Sequence, residues 1–142
     1  MSYSPAQVLA SLLREGSDAL FNVPGQSGDW PLYISSMPDN VGPKVGAVYD
    51  TTGVKHGRLM SGGELRSEGF QIKVRATTYV TAWEQIKAVA DFLEAVHAEE
   101  VEMEDSTTYT IDSINQTSGI VSLGEDENRR SLFVVNGLVM FR

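Results

Sequence analysis

The apolar residues near the start of the chain repeat with the period of a helix. Ser4 can cap a helix, and Pro5 suits its first turn. The apolar positions that follow fall on one helical face, and they are Val8, Leu9, Leu12 and Leu13. The pattern predicts a short N-terminal helix that ends near Gly16.

A longer helical repeat lies in the middle of the chain. Thr81 followed by Glu84 has the spacing of a capping box, in which each side chain bonds to a backbone amide at the start of a helix. One apolar stripe follows, formed by Ala82, Ile86, Val89, Leu93 and Val96. We predict a helix over residues 81–97 with one face packed on a sheet.

Alternating or short apolar segments predict strands. Residues 70–77 alternate most regularly, and the apolar side of this strand holds Phe70, Ile72, Val74 and Ala76, opposite Gln71, Lys73 and Arg75 on a solvated side. The other predicted strands are residues 30–36, 44–50, 109–114, 119–123 and 132–141, the last three as an antiparallel meander. Asn136 and Gly137 interrupt the final strand, either as a bulge or as a tight turn.

Residues 51–69 are expected to form a long protruding loop. The segment holds Gly53, Gly57, Gly62, Gly63 and Gly69. Loops of this length without structure of their own are uncommon in compact domains and are usually either functional or disordered. The elements together predict one α+β domain over residues 1–142. Its sheet is mainly antiparallel or mixed, with one long helix at about 81–97 packed on it and a short N-terminal helix.

Composition narrows the class of protein. With 142 residues, 42% hydrophobic and 21% charged, the chain suits a folded domain with its own core. The absence of cysteine excludes disulfides and thiolate chemistry. The formal net charge of −8 disfavours a nucleic-acid reader, because affinity for phosphates depends on Lys and Arg. The sequence shows neither a signal-peptide pattern nor a membrane-length apolar segment, so we expect synthesis in the cytoplasm and no membrane partner.

Candidate catalytic and metal-binding residues are few. His56 and His97 belong to no metal-ligand spacing, so surface or capping roles are favoured. The carboxylates of residues 99–105 match no calcium loop and are interpreted as a solvated run that closes the long helix. Residues 61–64 lack the order of a phosphate-binding loop. We therefore predict no catalytic residue, no metal and no cofactor.

Trp83 differs from the other aromatic residues, which are assigned mostly to the core. It lies beside the apolar stripe that begins at Ala82. Two interpretations stay open for it, core packing or contact with another subunit.

Residues 69–93 join a strand to a helix in a particular pattern. The strand end carries an Arg-x-x-x-Tyr spacing, and spaced Ala, Ile and Leu follow in the helix. The residues that fill these places are Arg75, Tyr79, Ala82, Ile86 and Leu93. This pattern resembles the tail terminator and minor capsid proteins of long-tailed bacteriophages. Residues 48–53 are similar to the strand end before their long loop, and residues 130–136 to their last strand, whereas Gly137 departs from them.

The resemblance implies a structural protein of the virion tail or neck, with no catalytic step. Such proteins form rings, expected to be hexameric, that cap the tail tube, end its growth and dock to the head connector or completion protein. The resemblance also implies that genomic DNA passes through the ring without specific binding, and that the long loop contacts a neighbouring subunit. The candidate interface residues are Lys55, Arg58, Leu59, Met60, Glu64, Arg66 and Trp83.

Three alternatives remain open from the sequence. The first is another neck, head-completion or tail tube subunit. The second is a small hydrolase or ligand-binding domain that uses His56 and Asp50. The third is an adaptor that binds a partner through its acidic patch, which predicts strong salt sensitivity of the complex.

Overall fold

The computed structural model describes residues 3–15, 20–26, 28–58 and 64–141, and the side chains of all of these except 54–58 and 64–66. Two helices and seven strands occur in this part of the chain. In order they are α1 (Pro5–Glu15), β1 (Leu32–Ile34), β2 (Val45–Arg58), β3 (Glu64–Ala76), α2 (Tyr79–Ala95), β4 (His97–Glu102), β5 (Thr108–Gln116), β6 (Val121–Glu125) and β7 (Ser131–Phe141).

The seven strands form one mixed sheet in the order β1-β2-β3-β7-β5-β4. β1 is parallel to β2, and the other paired strands are antiparallel. β3 pairs along one edge of β7. The second edge of β7 is shared, because β6 pairs with residues 131–134 and β5 with residues 137–141. The sheet curls into about half of a barrel.

Both helices contribute to a single hydrophobic core with the sheet. The predicted apolar stripes of the two helices are buried, and so are the four apolar positions predicted for β3. Ser4 and Gln7 cap α1 reciprocally, since each backbone amide donates to the other side chain, at 2.7 and 3.2 Å. These local predictions are confirmed because periodicity and capping depend on neighbours in sequence.

The predicted fold class, a sheet with one long helix packed on it and a short N-terminal helix, is wrong. The protein is mostly sheet, and its curled sheet carries two helices. α1 is a full packing element, since it buries Ala6, Val8, Leu9, Ala10, Leu12 and Leu13. The sheet is larger than predicted because residues 51–58, 64–69 and 97–102 are strand.

The glycine-rich segment 51–69 is a β-hairpin in its described part. β2 and β3 pair from Val45↔Arg75 to Arg58↔Glu64, with two register shifts on the way. A Cβ atom on Gly69 would lie 2.3 Å from Thr51 Oγ1 and 2.5 Å from the carbonyl oxygen of Thr52. Glycine at this position therefore permits the close approach of two strands, a use that composition alone does not distinguish from loop flexibility.

The long helix is displaced from its predicted bounds of 81–97. α2 begins at Tyr79, and Thr78 is its N-cap, with a hydroxyl that accepts a hydrogen bond from the amide of Thr81 at 3.3 Å. The helix ends at Ala95, and β4 follows at once from His97. The acidic run is thus strand as far as Glu102, and only Val101 of β4 is buried.

The predicted meander is wrong in its order, because β5 and β6 follow one another along the same edge of β7. The backbone amide of Thr117 donates to the carbonyl of Asn136 between them. Gly137 is neither bulge nor turn in the pairing of β7 with β3, which is continuous there. A Cβ atom at Gly137 would lie 2.6 Å from the Phe70 ring and 2.7 Å from the carbonyl oxygen of Asn115.

Candidate functional site

The end of the β2–β3 hairpin extends beyond the body of the sheet. We call residues 54–58 and 64–66 the hairpin end. β3 pairs with β7 only as far as Ser67↔Met140, whereas its pairing with β2 continues to Arg58↔Glu64. β1 pairs with β2 only at residues 46–48. Within the described residues, the hairpin end is therefore a two-stranded ribbon without a third strand.

Four of the predicted interface residues belong to the hairpin end. Lys55 is paired in register with Arg66, and Arg58 with Glu64. Leu59 and Met60 lie outside the described residues. The structure thus brings the backbone of four candidates together on one ribbon, and Trp83 lies elsewhere, on α2.

Trp83 forms part of an exposed apolar surface at the start of α2. We call Tyr79, Val80 and Trp83 the α2 apolar patch; their exposures are 60%, 60% and 39%. The rings of Tyr79 and Trp83 contact the buried Phe133 edge-on, with centroids 5.2 and 5.9 Å away. Trp83 therefore packs on the core and also exposes apolar surface, and its contact with another subunit stays a prediction. In the chain, the patch comes just after the C-terminal end of β3, and the hairpin end lies at the other end of that strand.

An acidic groove runs between α1 and β4. Its first part, about 240 Å³, is lined by Ser11, Leu12, Glu15, Glu99, Glu100, Val101 and Glu102. A second part, about 290 Å³, shares Ser11, Glu15 and Glu102 with the first and adds Arg14, Val23, Met103 and Glu104. Sequence reasoning found the acidic run but missed the groove, since α1 and β4 come together only in the folded chain.

A network of charged side chains lies at the sheet end away from the hairpin end. The guanidinium of Arg75 donates to the carbonyl of Pro38 at 2.6 Å and lies 3.5 Å from the carboxylate of Asp39. Arg130 reaches the same carboxylate at 3.3 Å. The prediction of a solvated Arg75 is wrong, because its side chain is only 3% exposed. Burial, and after it the charge of Arg130, lowers the pKa of Arg75.

Asp126 completes this arginine network, which comprises Asp39, Arg75, Asp126 and Arg130. Its carboxylate accepts hydrogen bonds from the backbone amides of Asn128 and Arg130, each at 2.9 Å, and from Arg130 Nε at 2.8 Å. These hydrogen bonds, first of all the one from the Arg130 amide, lower the pKa of Asp126. The network joins the segment around Asp39 to β3 and to the β6–β7 turn.

The residues of the hydrolase alternative do not form a catalytic pair in the described structure. Asp50 Oδ1 accepts a hydrogen bond from the amide of Ala6 at 2.9 Å and so serves the start of α1. The side chain of His56 lies outside the described part, and His97 is exposed on β4. Among the described residues, no group of three His, Asp or Glu side chains could hold a metal ion. No helix found there has the length and apolar character needed to cross a membrane.

The chain was compared with known protein families. A family model described as bacteriophage tail terminator protein matches residues 16–137. This range includes β1 to β6, α2 and the first part of β7. No curated protein matches the chain in sequence.

Proposed function

The chain belongs to the bacteriophage tail terminator family, and we propose that it forms a ring that caps the tail tube, ends tube growth and docks to the head connector or completion protein. The resemblance to this family is confirmed. The family consists of structural proteins of the virion tail, which interact with other tail and head proteins. Its members are not known as enzymes.

The hairpin end is the observation that carries the ring proposal. A two-stranded ribbon is marginally stable on its own in water, and its free edges can pair with another chain. Within the described residues, no third strand pairs with either edge of the hairpin end. It acts as an arm that contacts the adjacent copy in the ring, and the interface residues are Lys55, Arg58, Leu59, Met60, Glu64 and Arg66.

The α2 apolar patch supplies a second contact of the ring. Aromatic residues at the centre of an interface contribute more binding energy than most others. Trp83 is held against Phe133 and needs little reordering to bind a neighbour. The patch and the hairpin end lie at opposite ends of β3, so one subunit can contact two partners at once.

The proposed ring has six copies, and its lumen does not bind DNA specifically. The number six rests on the family resemblance. With a net charge of −8 per copy, a ring lumen formed by this chain is not expected to hold DNA by a basic surface. Genomic DNA therefore passes without specific binding.

Replacement of residues 55–66 by Asn-Gly tests the arm. Val54 and Ser67 are paired in register, so a two-residue turn closes the shortened hairpin. Ser67 and Glu68 stay in place because they pair with β7. We expect light scattering to show hexamers for the natural chain and folded monomers for the variant, with the melting curve followed by circular dichroism as the control for folding.

Tail tubes test the position of the ring. We expect electron microscopy to show the natural chain at tube ends only, and tubes assembled in its presence to have a limited length. Binding along the whole tube would indicate a tube subunit, and binding to heads alone a head-completion protein. A chain that stays monomeric with and without tubes would contradict the ring.

A further inference from the structure

Two hairpins extend past the C-terminal end of β7. β3 leaves β7 at Ser67↔Met140, and β5 pairs with β7 as far as Ile111↔Phe141. Beyond these positions β3 remains paired with β2 only, and β5 remains paired with β4 as far as Glu102↔Thr108. The hairpin end and the β4–β5 hairpin therefore lie at the same end of the sheet, with β7 between them.

These two hairpins carry opposite charge. Residues 54–66 contain Lys55, Arg58 and Arg66 against one carboxylate, that of Glu64, so the segment carries three positive charges and one negative. Residues 97–105 contain no Lys or Arg, and their five carboxylates belong to Glu99, Glu100, Glu102, Glu104 and Asp105. In a chain with a net charge of −8, the hairpin end is a basic exception beside an acidic surface.

The acidic groove has space and free hydrogen-bonding groups for a partner. β4 is the last strand in the sheet order, so its outer edge has no strand partner in the described part of the chain. The two parts of the groove measure about 240 and 290 Å³ along this edge. Glu99, Glu100 and Glu102 form no salt bridge with any described residue. A basic strand can therefore bring both positive charge and backbone hydrogen bonds to this edge.

We infer that the hairpin end of one copy docks in the acidic groove of the next copy. This inference rests on the proposed ring and specifies which surface of the neighbour receives the arm. Within one copy, β7 and β5 stand between β3 and β4 in the sheet. Two different, complementary surfaces on one subunit form a head-to-tail interface, which closes into a ring when the rotation between copies permits.

Charge reversal on each side tests the interface. The groove variant is E100K/E102K and the hairpin variant is K55E/R66E. Lys55 and Arg66 are paired in register. Both are positive in the natural chain and both are negative in the variant, so the repulsion between them is about the same. Each variant alone should raise the protein concentration needed for assembly by about 100-fold or more, because like charges then meet at the interface.

Rescue distinguishes charge pairing from general damage. An equal mixture of the two variants, and a single chain that carries all four substitutions, should both regain rings, because opposite charges again meet at each interface. The matched control E125K/E127K changes the net charge equally at exposed positions near the other end of the sheet, and should assemble like the natural chain. Assembly is measured by light scattering over a concentration series, at low and high salt, and folding by circular dichroism.

The outcomes separate this inference from the ring itself. If the Asn-Gly truncation gives monomers but E100K/E102K assembles normally, the groove is not the receiving surface and the ring proposal stands. If the groove variant keeps its ring but loses tube binding, another tail protein occupies the groove and the inference is wrong. A natural chain that never assembles contradicts both. Should E100K/E102K fail to fold, E100Q/E102Q replaces it, with a smaller loss of assembly and a weaker salt dependence expected.

Discussion

The two ends of the sheet use charge in different ways. At one end, the arginine network pairs Arg75 and Arg130 with Asp39 and Asp126 inside one copy. At the other end, basic residues belong to the hairpin end and carboxylates to the β4–β5 hairpin, on either side of β7. Charges paired within a copy stabilise that copy, whereas charges separated on two hairpins stay available for a second copy. Stability and assembly can therefore be changed independently.

Phe70→Ala should have the largest effect, because Phe70 lies in the core that supports both ends. Its ring is fully buried and packs against the backbone at Gly137. We expect a loss of about 3–5 kcal/mol in the free energy of unfolding, measured by urea denaturation. Assembly should fall together with folding. A variant that keeps its unfolding free energy would show that the core is not shared by the two ends.

Arg75→Met should lower the free energy of unfolding by about 1–3 kcal/mol, because it removes the donor to the Pro38 carbonyl and leaves Arg130 as the remaining partner of Asp39. Assembly of the folded fraction should not change. Arg75→Lys should fail to restore stability, since an ammonium group cannot reproduce the planar fork of the guanidinium. Loss of the ring with an unchanged unfolding curve would instead assign Arg75 to the interface and break the distinction between the two ends.

Trp83→Ala tests the exposed patch and should cost about 0.5–1.5 kcal/mol of stability, the range for an aromatic edge contact, through its contact with Phe133. The effect on assembly should be larger than this, because Trp83 is also a proposed subunit contact. Leu123→Ala is a matched control, because it truncates an exposed apolar side chain on β6, outside the α2 apolar patch. Equal effects of both variants on stability and on assembly would leave Trp83 a core residue only.

The helices could be predicted from the sequence because their causes are local. The stripe from Ala82 to Leu93 and the cap at Ser4 depend on spacing within one or two turns. The strand assignment of residues 51–58 could not be predicted, because the role of Gly69 depends on the strand that packs beside it. β4 exposes all but one of its side chains, so it carries no alternating pattern.

The candidate surfaces, too, could be predicted only where their residues are neighbours in sequence. The basic residues of the hairpin end are neighbours in sequence, and the segment could be singled out from composition. The acidic groove combines Glu15 with Glu102, and the arginine network joins Arg130 to Asp39 across 91 residues of chain. Burial of Arg75 follows from these distant partners, while its alternating position in β3 predicted solvent. Pairing between distant segments is therefore the information that local pattern lacks.

Acid should weaken the arginine network, because protonation of Asp126 removes the charge that its hydrogen bonds stabilise. The pKa of Asp126 is lowered in the folded chain by the amide and guanidinium hydrogen bonds of Arg130. A group of this kind contributes stability above its unfolded pKa of about 3.9, and that contribution is lost as the pH falls through the folded value. The free energy of unfolding should therefore decrease from pH 5 downward, measured by urea denaturation at each pH.

Asp126→Asn isolates this contribution. The variant should be less stable than the natural chain at neutral pH, and the difference should shrink as the pH falls, because protonation removes the same charge from the natural chain. Glu127→Gln is the matched control, since its side chain is exposed one residue away and accepts none of these hydrogen bonds. A difference that stays constant with pH would mean that the shape of the turn, and not the charge of Asp126, stabilises this end of the sheet.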